Sequence, residues 1–129
     1  MKAPLPALIV DDSPAARAIA RAALEEAAAA LGLAVDVEEA GSGVEALRLL
    51  AAGPHAVVLV DLHMPDMTGL EVLSFWRQRG GGQRAFIVST DVSDRDRGKA
   101  RELGAHGFLE KPVTVAVLTE ALRGLEATG

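Results

Sequence analysis

Leu59-Val60-Asp61-Leu62-His63-Met64-Pro65 places a carboxylate at the end of a short apolar run and turns at once into a proline-containing loop. A run this short and this apolar reads as a strand buried on both faces, the kind that parallel sheets contain. Ligands of open parallel sheets gather just beyond the carboxyl ends of the strands, so Asp61 stands where chemistry is expected. A second apolar run, Ala7-Leu8-Ile9-Val10, also ends in acids, Asp11-Asp12. One acidic strand end would carry little weight; two define a candidate site.

On either side of these runs, short apolar segments alternate with amphipathic ones. Strands are expected near 7–10, 35–39, 56–60, 85–89 and 107–110, each rich in Val, Ile, Leu or Phe and bounded by Gly, Pro, Asp or Ser. Helical spacing links Ile19, Ala23, Leu24, Ala27 and Leu31, then Val44, Leu47 and Ala51, then Leu70, Leu73 and Trp76. The last such stripe is Val117, Leu118, Ala121, Leu122 and Leu125. Strand–helix alternation predicts an α/β fold on a parallel sheet.

Capping chemistry marks the helix boundaries. Ser13 before Pro14 is an N-cap with proline at the first helical position, and Ser42…Glu45 and Thr68…Glu71 have capping-box spacing. Gly32, Gly53 before Pro54, Gly80 and Gly104 fall where a left-handed residue would end each helix. Gly80-Gly81-Gly82 reads as a loop. The helix expected near 94–103 has a thin apolar stripe, Ala100 and Leu103, amid charged residues, and is expected to be the most mobile helix.

At 129 residues and 13.4 kDa, with 50% hydrophobic and 24% charged residues, the chain reads as one globular domain, 1–129, without an output domain. No apolar run is long enough for a transmembrane helix, the N-terminus lacks signal-peptide shape, and zero cysteines exclude a disulfide framework or thiolate metal site. These features suit a cytoplasmic chain without membrane insertion. A net charge of −5 argues against a nucleic-acid surface.

Four strand ends converge on one edge of the expected sheet: Asp11-Asp12, Asp61, Ser89-Thr90 and Lys111-Pro112. Three carboxylates brought within a few ångströms repel one another unless a cation joins them, and Mg2+ prefers such an all-oxygen shell. The set Ile9-Val10-Asp11-Asp12-Ser13, Val60-Asp61-Leu62-His63-Met64-Pro65-Asp66-Met67-Thr68-Gly69, Ser89 and Phe108-Leu109-Glu110-Lys111-Pro112 resembles the response-regulator receiver domain of two-component signalling.

The resemblance implies a doubly wound (βα)5, flavodoxin-like three-layer sandwich with strand order 2-1-3-4-5. It implies Asp61 as phosphoacceptor, with Lys111 balancing charge and Ser89 binding a phosphoryl oxygen. Asp12, Asp61 and the His63 backbone carbonyl would ligate Mg2+, or Mn2+, with Asp11 acting through water. It implies a cis Lys111-Pro112 peptide, and Ser89 with Phe108 as the switch pair. His63 and Asp91 would flank the phosphoryl group and tune its hydrolysis. Thr90 occupies a place where the family usually has a smaller residue, a departure that would narrow access. The implied partners are a histidine kinase or histidine phosphotransfer domain and a downstream protein target, with slow self-hydrolysis of the phosphoryl group.

Other readings of the same residues stand beside these. Asp11-Asp12 would also suit a turn ahead of the first helix, Phe108 a permanently buried core position, and His63 an exposed loop. A haloacid-dehalogenase-type phosphohydrolase also uses an aspartate after a strand, but it needs a second acid two residues on, where this chain has His63. A receiver-like interaction module that never turns over phosphate is the third class, and it predicts no Mg2+ affinity. Trp76 is expected in the core; His55 and His106 receive no chemical role.

Overall fold

The computed structural model describes residues 4–81, 84–91 and 93–128, with the side chains of 124–128 left aside. Leu125 and Gly82, read above as a stripe residue and a loop residue, lie outside what is described of side chains and backbone respectively. Five strands alternate with five helices: β1 (Leu5–Val10), α1 (Pro14–Ala30), β2 (Val35–Ala40), α2 (Gly43–Ala52), β3 (Val57–Asp61), α3 (Gly69–Gln78), β4 (Ala85–Ser89), α4 (Asp94–Glu102), β5 (Gly107–Glu110) and α5 (Val115–Thr128). The strands pair in parallel in the order β2-β1-β3-β4-β5. The expected fold class is the observed one.

Because side chains alternate across a strand, the sheet feeds two cores. Ile9, Leu59 and Val88 pack with Ala23, Leu24 and Ala27 of α1 and Leu118 and Leu122 of α5. Leu8, Val10, Val60 and Ile87 pack with Ala46 and Leu50 of α2 and Val72, Leu73 and Trp76 of α3. Every residue of β3 and β4 is buried, as apolar runs without alternation require. Trp76 is core, as expected. Ile19, Val44, Ala51 and Val117, read as stripe residues, are instead exposed. Ile19 and Val117 each directly precede a buried residue, Ala20 or Leu118, and one residue is about 100° of helical rotation.

The start signals act as expected. Ser13, Ser42 and Thr68 each accept a hydrogen bond from the backbone N–H three residues on, and Thr68 with Glu71 completes a capping box. The Ser42…Glu45 pair does not close one, because the Glu45 carboxylate takes the Gly41 N–H at 2.7 Å. Gly32, Gly80 and Gly104 end their helices with φ of 71°, 82° and 87°. Gly53 differs: at φ −170°, ψ 172° it is extended. The ring of Pro54 accounts for this, since a residue preceding proline is pushed out of the helical region toward extended backbone. In α4 only Ala100 is buried, and Gly98 lies in the helix interior.

Candidate functional site

β1, β3, β4 and β5 end at the same edge of the sheet and bring the acids and the lysine together, with Ser89 at the end of β4. Asp61 is the last residue of β3 and Asp11 directly follows β1; both are buried, at 7% and 6% exposure, whereas Asp12 is exposed. The oxygens of Asp11, Asp12 and Asp61 come within 4.8 Å of one another. Lys111, directly after β5, sets its Nζ 2.6 Å from Asp11 Oδ2 and 3.4 Å from Asp61 Oδ1. The Lys111–Pro112 peptide is cis, as the resemblance implied.

The electrostatics follow from this crowding. Burial pushes the Asp61 carboxyl above the usual aspartate range, the Asp11 charge adds to the rise, and Lys111 and the His63 N–H offset only part of it. For Lys111 burial works downward, but the hydrogen bond to Asp11 and the charges of Asp11 and Asp61 outweigh it and raise the ammonium. Three carboxylates against one lysine leave an excess of negative charge. A hard divalent cation with oxygen ligands fits that donor set, and Asp11, Asp12 and Asp61 are the side chains able to hold it.

Neighbouring backbone holds the acids in place. Asp11 Oδ1 accepts the Ser13 N–H at 2.9 Å, and Arg17 Nη1 donates to the Asp11 carbonyl at 2.7 Å while its Nε reaches Glu39 at 3.1 Å. Behind Asp61, α3 starts so close that a Cβ on Gly69 would overlap the Asp61 carbonyl oxygen. The loop between them is closed at its base by Gly69 N–H donating to the Leu62 carbonyl at 2.9 Å and by a bridge between His63 and Thr68.

Not every residue singled out from sequence joins the cluster. Ser89 is fully buried, and its hydroxyl is engaged with Asp91: Oγ donates to the Asp91 carbonyl at 2.9 Å and accepts the Asp91 N–H at 3.1 Å. His63, Thr90 and Asp91 stand exposed around the site. Thr90 also lines, with Asp11, Asp61 and Lys111, a largely apolar cavity of about 240 Å³ floored by Ile9 and Leu59. Phe108 is half-buried under the Arg97 guanidinium, 5.6 Å from the ring centre, and so is not the sealed core residue that one reading allowed. Arg17 and Asp66 were missed. Their partners lie 22 or 23 residues away in sequence, or on backbone atoms, and no local spacing announces such contacts.

Comparison with known proteins agrees with this fold. The family model for the response regulator receiver domain matches residues 7–123. The chain is 32% identical over 120 residues to a Rhizobium etli protein named probable chemotaxis protein CheY, covering 92% of this chain and 89% of that one. It is 34% identical over 102 residues to the transcriptional regulatory protein TctD of Salmonella typhimurium, covering 79% of this chain but 45% of TctD. Among solved structures, chemotaxis protein CheY4 of Vibrio cholerae superposes with a TM-score of 0.82 at 28% identity, over 95% of this chain and 98% of that one. The N-terminal domain of a Wolinella succinogenes protein gives 0.82 at 30% identity, over 96% and 95%.

Proposed function

This chain belongs to the response-regulator receiver domain family of two-component signalling, and from that premise we propose that it is a phosphorylation switch with Asp61 as the phosphoacceptor. The observation that carries the proposal is the convergence of Asp11, Asp12, Asp61 and Lys111 at one sheet edge. The donor is a phosphohistidine of a kinase or phosphotransfer domain. A carboxylate oxygen of Asp61 attacks phosphorus in line; the new P–O bond forms as the P–N bond to the donor imidazole breaks, and the imidazole takes up a proton as it leaves.

Carboxylate is a weak nucleophile, so positioning and charge balance do the work. Asp12, Asp61 and the His63 backbone carbonyl would hold Mg2+, with Asp11 acting through water. When bound, the ion supplies positive charge against the oxygens of the transferring group. Lys111 supplies the second positive charge. Ser89 then exchanges Asp91 for a phosphoryl oxygen, Phe108 follows, and α4, held by one buried residue, shifts with β5 and α5 to change affinity for a downstream protein. His63, Thr90 and Asp91, exposed at the rim, set how long the acyl phosphate survives water. The switch acts in the cytoplasm; among the described residues no helix is long and apolar enough to cross a membrane.

The test is incubation with Mg2+ and a small acyl-phosphate donor, read by intact mass. One added phosphoryl group is expected on the wild type and none on Asp61→Asn; modification that survives the substitution overturns the assignment.

A further inference from the structure

We infer that Asp66 is a positioning residue for the metal site, clamping the loop after Asp61 onto the first turn of α2. The first turn of a helix presents four N–H groups without intrahelical partners. At α2 the Ser42 hydroxyl takes the Glu45 N–H at 3.1 Å, and the intrahelical ladder begins with the Ala46 N–H on the Ser42 carbonyl at 3.1 Å. The Gly43 and Val44 N–H groups are taken from outside the helix. Asp66 Oδ1 accepts the Gly43 N–H at 3.1 Å and Oδ2 accepts the Val44 N–H at 3.0 Å, reaching back 23 and 22 residues.

Those two bonds, to Val44 first and Gly43 second, hold the Asp66 carboxyl below the ordinary aspartate range, the sign of an anion stabilised by backbone donors. Gly43 is part of the same fit, because a Cβ there would overlap the Met67 side chain. The loop is therefore fastened at two levels. Its base is closed by the Gly69–Leu62 hydrogen bond and the His63–Thr68 bridge, and its tip is fastened by Asp66 to another helix.

From the bridge at His63 the loop runs through Met64 and Pro65 to the Asp66 fastening, and the His63 carbonyl, at the base of that stretch, is one of the proposed metal ligands. A ligand on a loop tied only at its base samples more orientations, and each one lost from the productive set costs affinity. Groups that orient metal ligands in this way are typically worth about 10- to 100-fold in affinity. The inference rests on the Mg2+ site proposed above.

The test is Mg2+ titration by calorimetry of four proteins: wild type, Asp66→Ala, Asp66→Asn and Ser42→Ala, with thermal melts of each. Asp66→Ala is expected to bind Mg2+ about tenfold more weakly. Asp66→Asn, which keeps one side-chain acceptor for the α2 N–H groups, falls between it and wild type. Ser42→Ala also loses a cap of α2, and so melts lower, but leaves the loop fastened and keeps wild-type Mg2+ affinity. Unchanged affinity in Asp66→Ala overturns the positioning role, and so does an equal loss in Ser42→Ala, which would make helix stability the cause. A wild type that takes up no Mg2+ overturns the metal site itself and this inference with it.

Discussion

Lys111 Nζ lies closer to Asp11, at 2.6 Å, than to Asp61, at 3.4 Å. The ammonium is committed mainly to Asp11, the acid other than the proposed phosphoacceptor. In the proposed reaction Lys111 would therefore be both an electrostatic partner and a competitor of any cation that Asp11 and Asp61 share. Lys111→Ala is expected to separate these roles. Mg2+ binds more tightly in calorimetry because the competing charge is gone, while phosphorylation by an acyl-phosphate donor slows by roughly 10²-fold, the usual loss of one transition-state charge partner. Weaker Mg2+ binding together with slower phosphorylation would contradict the competition.

The raised Asp61 carboxyl makes stability depend on pH in a definite direction. Its folded form holds a proton more tightly than the unfolded chain, whose ordinary value is 3.8. The native state therefore carries the extra proton between that value and the raised one, and stability falls as pH rises through the interval. Asp66 acts oppositely: its lowered carboxyl contributes stability present above 3.8 and lost as pH falls. Asp61→Asn removes the first effect and leaves the second. Thermal melts without metal should show the variant a few degrees above wild type near neutrality, with the gap closing in acid. A constant gap across the range would mean that Asp61 carries no charge penalty in the folded protein.

The strands and helix starts were legible because they are local. An apolar run without alternation, such as Val57–Asp61, or a Thr68…Glu71 spacing needs no knowledge of the rest of the chain. The acids, Ser89 and Lys111 were legible because parallel topology sends every strand's end to one edge. Gly53 departs from the left-handed stop expected of it because Pro54 beside it forces extended backbone, a local restriction that overrides glycine's helix-stop preference. Exposure of Ile19 and Val44 depends on which part of an apolar face finds a neighbour, and the Asp66 clamp on two segments 22 and 23 residues apart. Half-burial of Phe108 depends on Arg97 from another element. Such contacts exist only after folding.

Gly69 is where packing, rather than backbone freedom, demands glycine. An added Cβ would overlap the Asp61 carbonyl oxygen and crowd Leu62 Cα at 3.2 Å, both backbone and therefore unable to rotate away. Gly69→Ala is expected to lose about 1–3 kcal/mol in denaturant unfolding, the range for overpacking a tight site. It should also displace the end of β3 and weaken Mg2+ uptake. Wild-type stability with wild-type metal affinity would show that α3 can back away freely.

Ser89 and Asp91 form a closed pair, the hydroxyl donating to the carbonyl and accepting from the N–H of the same residue. Replacing the proposed phosphoryl-binding hydroxyl while leaving the proposed nucleophile Asp61 intact should uncouple modification from its consequence. Ser89→Ala is expected to lose about 1 kcal/mol of stability and still gain one phosphoryl group on Asp61. The Phe108 ring resonances, expected to shift on phosphorylation of wild type, should then stay put, and Ser89→Thr should restore the shift. Movement of Phe108 in the alanine variant would remove Ser89 from the switch.

α4 is held by its ends more than by its face. Ala100 is its one buried residue, whereas Ser93 caps its start, Asp94 and Asp96 fill the first turn, and Lys99 and Arg101 the last, each charge favourably placed against the helix dipole. Gly98 interrupts it where a methyl group on Cα would meet no atom outside the helix within 4 Å and φ is not positive. Alanine there fills open space and removes glycine's entropic penalty, so Gly98→Ala should stabilise the protein by about 0.5–1 kcal/mol. Hydrogen exchange locates the gain. In wild type the α4 amides should exchange fastest among the helices, faster still in high salt as the charge contribution is screened; in Gly98→Ala they should slow selectively. If α4 is the element that shifts on phosphorylation, the same variant should bind a downstream target less readily once phosphorylated, because the helix that must move has been made harder to open. Uniform exchange across all five helices would show that α4 is anchored as firmly as the rest and is no hinge for signalling.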